Sequence, residues 1–167
     1  FALDIETRAR VELDGTGTVD GKIDAAPEAD TALIERCVEL VLERYGDGEG
    51  GHVRTESAVP LAAGLKSSSA AANATVLATL AALDVTVAGA GDADITADDV
   101  ALTREAACRI GVQAARDVGV TVTGAFDDAS ASMLGGVTVT DNDTDTLLEH
   151  DRFEHEALVW TPGERAY

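Results

Sequence analysis

Residues 60–71 read Pro60-Leu61-Ala62-Ala63-Gly64-Leu65-Lys66-Ser67-Ser68-Ser69-Ala70-Ala71. A strand-like run, residues 52–59, comes before this stretch, and a run dense in alanine and leucine continues over residues 67–83. Alanine and leucine are strong helix formers. The pattern therefore predicts a strand, a loop of small residues over 60–66, and a helix that begins at the three serines.

The start of this helix is a candidate anion site. The first turn of a helix has four backbone N–H groups without intrahelical partners and carries partial positive charge. A phosphate placed there accepts hydrogen bonds from those groups, and the hydroxyls of Ser67, Ser68 and Ser69 add donors. Gly64 allows a close approach of the loop backbone because it has no Cβ. The simpler alternative is an ordinary serine N-cap on an alanine-rich core helix.

The distribution of acidic residues favours the anion site. No Asp or Glu occurs in the 27 residues of the window 57–83, although 31 of the 167 residues are acidic and about five would be expected there. Lys66, one of only two lysines, lies in this window. A carboxylate close to a phosphate costs on the order of several kcal/mol in a partly buried site. An acidic protein that holds a phosphate must therefore keep carboxylates away from it.

Composition excludes several classes of function. The 12 basic and 31 acidic residues give a net charge of −19, which opposes binding to nucleic acid and to anionic membranes. We find no signal peptide, and the apolar run 70–83 is too short to span a bilayer and is interrupted by Asn73, Thr75 and Thr79. Cys37 and Cys108 lie in separate apolar helical patterns, which indicates buried, reduced thiols and a cytoplasmic protein. The acidity and the scarcity of lysine resemble proteins of salt-loving microbes.

The remaining pattern predicts a single α+β domain in which strands and helices alternate irregularly. The first two strands are expected to pair as a hairpin through the turn at residues 14–17. The predicted strands are residues 1–13, 18–23, 52–59, 137–140 and 157–160. The predicted helices are residues 30–45, 67–83 and 96–118.

Asp127 and Asp128 are a second candidate for chemistry. They follow Gly124-Ala125-Phe126, a short apolar segment, whereas the other acidic runs of the chain are expected to be solvated. A hydroxyl that attacks a phosphate must be oriented, and its proton needs an acceptor as the new bond forms. Adjacent residues point in different directions, so the two carboxylates are not expected to share one role. The alternative is an exposed acidic turn or a helix N-cap.

Three motifs together resemble the GHMP kinases, the family of galactokinase, homoserine kinase and mevalonate kinase. The pattern Pro60-x-x-x-Gly64-Leu65-x-Ser67-Ser68-Ser69-Ala70 is similar to the second motif of that family. The resemblance continues downstream at Thr123-Gly124-Ala125-Phe126-Asp127-Asp128-Ala129 and at Leu134-Gly135-Gly136. Most members have glycine at the position of Lys66, and lysine followed by three serines is similar to the archaeal-type shikimate kinase branch.

The resemblance implies a fold and a reaction. The implied fold is a mostly antiparallel sheet with helices packed on one side, including a left-handed β-α-β unit. The implied reaction transfers the γ-phosphoryl group of ATP, with Mg²⁺, to the 3-hydroxyl of shikimate, on the route to chorismate and the aromatic amino acids.

The resemblance also implies roles for individual residues. Asp127 would be the catalytic base, with Asp128 as a neighbour that orients the substrate, and Ser69 would bind Mg²⁺. Lys66 would contact a terminal phosphate or the carboxylate of the substrate. The implied nucleotide-binding residues are Pro60, Leu61, Ala62, Ala63, Gly64, Leu65, Lys66, Ser67, Ser68, Ser69 and Ala70.

Some assignments stay open. The acidic metal ligand that the family often takes from the preceding helix has no clean match here, and Glu105 and Asp117 are its candidates. Arg54 and Arg116 are alternatives to Lys66 as the cation for the substrate. The alternative functions are another small-molecule kinase of the family, acting on homoserine or mevalonate, and a non-catalytic domain of the same fold. The oligomeric state is also open.

The family's first and third motifs are not found in the chain. The first would precede Phe1, and the third would follow Tyr167 in a ferredoxin-like C-terminal domain. Residues 1–167 are therefore expected to form the N-terminal, ATP-binding domain of a longer enzyme and to be inactive alone.

Overall fold

The fold is that of a computed structural model, which describes residues 1–59, 65–88, 102–152 and 156–158. The described part is a mixed α+β structure in which four helices accompany small sheets. In chain order the elements are β1 (Thr7–Asp14), β2 (Val19–Ile23), α1 (Ala32–Tyr45), β3 (Gly50–Ser57), α2 (Ser67–Ala82), β4 (Val87–Ala88), β5 (Leu102–Thr103), α3 (Arg104–Asp117), α4 (Phe126–Leu134), β6 (Val137–Asp141) and β7 (Thr146–Asp151).

The three-stranded sheet is mixed, so the expectation of a mostly antiparallel sheet is wrong. Its order is β1-β3-β2, with β3 antiparallel to β1 and parallel to β2. The predicted hairpin of the first two strands is wrong for the same reason, because β3 lies between them. Helix α1 carries the chain back along the sheet between β2 and β3, and such a crossover makes the two strands parallel. The left-handed sense of this unit stays a prediction.

Two adjacent glycines allow β3 to begin between its neighbours. A Cβ on Gly50 would overlap the backbone of Thr18, and a Cβ on Gly51 would lie 2.5 Å from the carbonyl oxygen of Glu12. The N–H of Gly51 donates to the carbonyl oxygen of Thr18 at 2.9 Å. Only residues without side chains fit at these two positions, so the glycine pair permits the central strand to start there.

One face of the three-stranded sheet is buried against helices. In β3, Val53 and Thr55 are buried, whereas His52, Arg54 and Glu56 are exposed, which is the alternation of a strand covered on one side. The covering side chains come from α1 and α2. The small apolar cluster at this layer contains Ile34, Val38 and Val53 as buried residues, with Val11, Val19, Ile23, Leu42 and Ala71 packed against it.

The main core lies among the four helices. It contains both cysteines, which are fully buried, together with large aliphatic residues of α1, α2 and α3 and with Phe126 of α4. Small residues bring α2 and α3 close together: a Cβ on Gly111 would lie 3.3 Å from the Cβ of Ala72. Helix α2 is buried on several sides because the other helices and the sheet surround it. These contacts hold its N-terminal turn in place.

The helices predicted at residues 30–45 and 67–83 are confirmed by α1 and α2, but the later elements differ from the prediction. Helix α3 begins at Arg104, because residues 102–103 form β5 and the Oγ1 of Thr103 accepts the N–H of Ala106 at 3.1 Å as an N-cap. The expected start near residue 96 lies outside the described residues. Helix α4 was not predicted, because its sequence is rich in serine and aspartate.

The last described strands form a hairpin. The strand expected at residues 137–140 is confirmed as β6, which pairs antiparallel with β7. In the strand expected at 157–160, residues 157–158 are not in a strand and residues 159–160 lie outside the described part. Among the described residues no helix is long and apolar enough to cross a membrane.

Burial makes a prediction about the two thiols. Desolvation raises the pKa of both Cys37 and Cys108 to about 12. Because the thiolate is the reactive form, we expect neither cysteine to react with Ellman's reagent in the native chain at mildly alkaline pH and high salt, and both to react after unfolding in guanidinium chloride. Native thiols that react as fast as unfolded ones would contradict the packing of the helical core.

Candidate active site

Helix α2 begins with a turn whose backbone donors lack a side-chain acceptor. Lys66 occupies the N-cap position and forms no side-chain capping hydrogen bond. Ser67, Ser68 and Ser69 form the first turn, which contains no acidic residue. Backbone N–H groups and hydroxyls at such a turn are suited to bind an anion. The helix therefore begins at the three serines as the sequence predicts, and the binding of an anion there stays a prediction.

Lys66 adopts a backbone conformation that normally selects glycine. Its φ and ψ angles are 57° and 43°, in the left-handed region. This conformation explains why most GHMP kinases, which the motif resembles, have glycine here. For a residue with a Cβ it costs on the order of 1–2 kcal/mol. The presence of lysine at a strained position therefore indicates that its ammonium group is useful there.

The segment 123–129 forms the start of α4, and its Asp128 reaches Lys66 at the start of α2. Ala125, at the N-cap of α4, is also left-handed, with φ of 52°. Gly124 before it has φ of 86°, and a Cβ there would lie 2.5 Å from a methyl carbon of Val112. The guanidinium of Arg116 donates two hydrogen bonds to the carbonyl oxygen of Thr123 and also pairs with Asp145. These contacts fix the loop that precedes α4.

An ion pair joins the two helix starts. The Nζ of Lys66 lies 3.0 Å from Oδ2 of Asp128, with the lysine side chain 61% exposed and the aspartate side chain 23% exposed. The hydrogen bond to Asp128 raises the pKa of Lys66, and the charges of Asp128 and then Asp127 add to the effect. Lys66 is thus held as a cation at the entrance to α2.

Asp127 has a different partner from Asp128, and its role as the catalytic base stays a prediction. It is exposed and turned toward the loop between β6 and β7. Its backbone N–H donates to Oδ1 of Asn142 at 3.0 Å, and Nδ2 of Asn142 donates to its carboxylate at 2.9 Å. Consecutive residues on a helix point in directions about 100° apart. The carboxylate beside Lys66 is therefore that of Asp128.

A cavity of about 160 Å³ lies between the two motifs. Lys66, Ser68 and Ser69 line it from α2, and Asp128 lines it from α4, next to Gly124 and Ala125. The two segments that the sequence singled out, about sixty residues apart, thus meet at one cavity. The cavity combines unpaired donors, hydroxyls, one cation and one carboxylate.

Two further cavities adjoin this centre. One, of about 290 Å³, shares Lys66 and Asp128 with the first cavity and is also lined by Leu65, Ala70, Ser132 and residues near the N-terminus. The other, of about 220 Å³, is mostly apolar and lies beside Ser67 and Ser68, against Ile23, Ile34 and Val120. The predicted residues 65–70 therefore border connected space, while Pro60, Leu61, Ala62, Ala63 and Gly64 lie outside the described residues.

The remaining candidates have other partners. Asp117 accepts a hydrogen bond from Arg36 at 2.9 Å, and Glu105 pairs with Arg109, so neither is directed toward Ser69. Arg54 pairs with Asp24 on the exposed face of the sheet. Arg116, as described above, holds the loop before α4. Lys66 is the only cation among the described side chains that line the 160 and 290 Å³ cavities.

The assignment of Ser69 as the residue that would hold a magnesium ion stays a prediction. Within the described ranges no cluster of three metal-ligating side chains occurs. Mg²⁺ bound with a nucleotide needs few protein ligands, because phosphate oxygens and waters supply the rest. A single hydroxyl at the serine turn is consistent with that mode of binding.

Comparison with known proteins places the chain in a family. A family model described as the GHMP kinases N terminal domain matches residues 32–136, which is more than half of the chain. The chain belongs to the GHMP kinases. The matched residues of this GHMP kinase include both motifs that border the 160 Å³ cavity.

Relatives and a solved structure agree with this membership. A protein named shikimate kinase from Halobacterium salinarum is 65% identical over 168 residues, covering 100% of this chain and 55% of the relative. One of the same name from Methanosarcina mazei is 47% identical over 168 residues, covering 100% of this chain and 52% of the relative. The chain thus spans about half the length of these curated relatives.

The solved structure supports the fold. The crystal structure of the Methanococcus jannaschii mevalonate kinase matches 92% of this chain and 47% of its own, with a TM-score of 0.61 and 10% identity. At that identity the likeness concerns the fold alone. The four helices and the mixed sheet described above are therefore arranged as in a GHMP kinase.

The sequence did not single out two polar residues beside the site. Asn142 donates a hydrogen bond to the carboxylate of Asp127, and Asn73 of α2 contacts α4. Asn73 gave a signal, since it interrupts an apolar helical run and therefore places an amide in a buried position. No local pattern pointed to Asn142.

The cation at the serine turn makes a prediction about nucleotide binding. Lys66→Glu places a carboxylate beside the anion site, so we expect the dissociation constant for ATP to rise at least tenfold, about 1.4 kcal/mol. Isothermal titration calorimetry on the chain measures it. Lys22→Glu, at the other lysine, changes the net charge equally on the exposed face of β2 and serves as the control. Equal affinities for the two variants would exclude Lys66 from the site.

Proposed function

We propose that this chain is the ATP-binding part of a shikimate kinase, which transfers the γ-phosphoryl group of ATP to the 3-hydroxyl of shikimate in the synthesis of chorismate and the aromatic amino acids. The observation that carries the proposal is the Lys66–Asp128 pair at a cavity bordered by Ser68 and Ser69. The name shared by relatives at 65% and 47% identity supports the choice of substrate.

The phosphates of ATP bind at the start of α2 in this proposal. Backbone N–H groups and serine hydroxyls donate to the phosphate oxygens, and the absence of acidic residues from this turn removes a repulsion that would oppose them. The apolar cavity beside Ser67 is suited to the base of the nucleotide. Mg²⁺, held by the Ser69 hydroxyl and by phosphate oxygens, would neutralise charge on the transferred group.

Asp128 is the acceptor of the proton. The 3-hydroxyl oxygen of shikimate bonds to the γ-phosphorus as the bond from that phosphorus to the β,γ-bridging oxygen breaks, and ADP leaves. The hydroxyl proton passes to the carboxylate of Asp128, which is half-buried at the cavity. We assign this role to Asp128 instead of Asp127 because Asp127 is exposed and bonded to Asn142.

The acceptor binds in the 290 Å³ cavity in this proposal. That cavity shares Lys66 and Asp128 with the phosphate cavity, so a molecule there reaches the same carboxylate. Shikimate carries one carboxylate and three hydroxyls. Lys66 is suited to pair with the carboxylate, and Ser132 adds a hydroxyl at this cavity.

Residues 1–167 form one part of this enzyme in our proposal, and the relatives have roughly as many residues again. The net charge of −19 and the similarity to a protein of Halobacterium salinarum support a cytoplasmic enzyme that works in concentrated salt. We expect activity in the complete protein that carries this chain.

The substrate is tested by a panel of acceptors. In a coupled assay of ADP release at high salt, we expect the complete protein to phosphorylate shikimate with kcat/KM at least a hundredfold above that for homoserine or mevalonate, because the relatives at 65% and 47% identity are named shikimate kinase. Preference for one of the other acceptors would select the alternative kinases. Turnover of none of them would favour a non-catalytic domain.

The base is tested by two neighbouring substitutions. Asp128→Asn removes the proton acceptor while keeping its shape, so we expect kcat to fall about a hundredfold or more with KM for ATP little changed. Asp127→Asn is the matched control, because it removes an adjacent carboxylate that is directed toward Asn142. If Asp127→Asn has the larger effect on kcat, the assignment returns to Asp127.

A further inference from the structure

Asn73 connects the helix of the phosphate site to the helix of the carboxylate. It lies in the second turn of α2, only 4% exposed. Its Nδ2 donates a hydrogen bond to the carbonyl oxygen of Ala129 at 2.8 Å. Ala129 follows Asp128 directly in α4. The bond therefore joins the backbone of α4, one residue from the carboxylate, to the helix whose first turn carries the serines.

Stability alone does not explain an asparagine at this position. Its Oδ1 is buried and has no hydrogen-bond partner in the described part of the chain. A buried polar atom without a partner destabilises a fold, whereas leucine has the same branching and number of side-chain heavy atoms, is somewhat larger, and has no such atom. The feature of Asn73 that leucine cannot supply is the bond that its other amide atom forms.

Among the described residues, no other side-chain hydrogen bond joins α2 to α4, and the Lys66–Asp128 ion pair lies before the first residue of α2. The two helices also share an apolar cluster that includes Ala72, Val76 and Met133. Apolar contacts hold helices together but fix their relative shift only weakly, because they have no directionality. Gly111 of α3 leaves room beside the amide, since a Cβ there would lie 3.6 Å from Oδ1 of Asn73, an ordinary contact distance. The hydrogen bond to Ala129 is thus the contact that directs the amide toward α4.

We propose that Asn73 is a positioning residue that sets the place of Asp128 relative to the serine turn. Its hydrogen bond fixes α4 along α2, and Asp128 lies within reach of Lys66 as a consequence. Without the bond, α4 shifts by a fraction of a turn and the carboxylate withdraws from the cavity. The inference rests on the proposed function where it concerns turnover, but the geometry that it asserts can be measured without turnover.

The kinetic test uses Asn73→Leu in the complete protein. We expect kcat to fall about tenfold or more, with KM for ATP within about twofold, because the serines that bind phosphate stay in place on α2. Thr79→Val is the matched control: Thr79 is equally buried in α2, but its hydroxyl bonds only within that helix, to the carbonyl oxygen of Thr75 at 2.8 Å. We expect Thr79→Val to leave kcat and KM unchanged.

A double variant separates positioning from a general loss of structure. If Asn73 acts through Asp128, Asn73→Leu has no further effect on kcat in the Asp128→Asn background. If Asn73→Leu lowers kcat by the same factor in the wild-type and the Asp128→Asn backgrounds, the proposal is overturned. Circular dichroism confirms that each variant is folded at the temperature of the assay.

A spectroscopic test does not depend on turnover. Residues 1–167 contain two lysines, whose side-chain signals in lysine-labelled complete protein are assigned with Lys66→Arg and Lys22→Arg, and Lys22 serves as an internal reference. Lys66 has a raised pKa because it pairs with Asp128. We expect Asn73→Leu to lower the pKa of Lys66 toward its ordinary value, with Lys22 unmoved, and Thr79→Val to change neither.

The outcomes distinguish this inference from the proposed function. An inactive wild-type protein in which Asn73→Leu still moves the Lys66 signal refutes the kinase assignment and supports the positioning. An active protein in which folded Asn73→Leu retains both kcat and the Lys66 pKa overturns the positioning alone. If Asn73→Leu does not fold, Asn73→Ser gives the same test, because its hydroxyl is too short to reach Ala129.

Discussion

The ion pair between Lys66 and Asp128 is the interaction on which the site depends, and stability does not account for it. The left-handed backbone of Lys66 costs on the order of 1–2 kcal/mol relative to glycine. An ion pair with a lysine this exposed returns about 0–1 kcal/mol, and less in salt. The balance is neutral or unfavourable. The position is therefore better explained by what an ammonium group and a carboxylate do together at the entrance to a phosphate-binding turn.

The net negative charge of the chain opposes the binding of a phosphate. A protein with a net charge of −19 repels a polyphosphate at long range, yet the first turn of α2 contains no acidic residue. In about 1 M salt the Debye length falls to roughly 3 Å, so distant carboxylates are screened and only direct contacts matter. Backbone N–H groups, hydroxyls and one ammonium are contacts of that kind. In the proposed site, the absence of acidic residues from the start of α2 therefore matters for direct contacts with the phosphate, which high salt does not screen.

The sequence predicted those parts of the fold that depend on local pattern. Helices α1 and α2 follow from amphipathic spacing and from alanine content, and their described bounds agree closely with the prediction. The pairing of the first two strands failed because it depends on β3, which comes later in the chain and requires Gly50 and Gly51 to enter between them. Helix α4 was missed because aspartate and serine favour turns and caps when taken alone. It forms because Phe126, Ala129 and Met133 are buried against α3 and α2.

Within the site, the types of residue were predictable and their directions were not. The motifs identified two segments that meet at one cavity, but whether Asp127 or Asp128 pairs with Lys66 depends on where α4 begins, since one residue turns a helix by about 100°. Asn73, Thr75 and Thr79 show the same limit: all three interrupt an apolar run and all are buried. Thr79 bonds within its own helix, Thr75 has no partner for its hydroxyl among the described residues, and only Asn73 reaches a second helix. A buried polar residue can therefore be located from sequence, but the element that it binds follows only from how the helices pack.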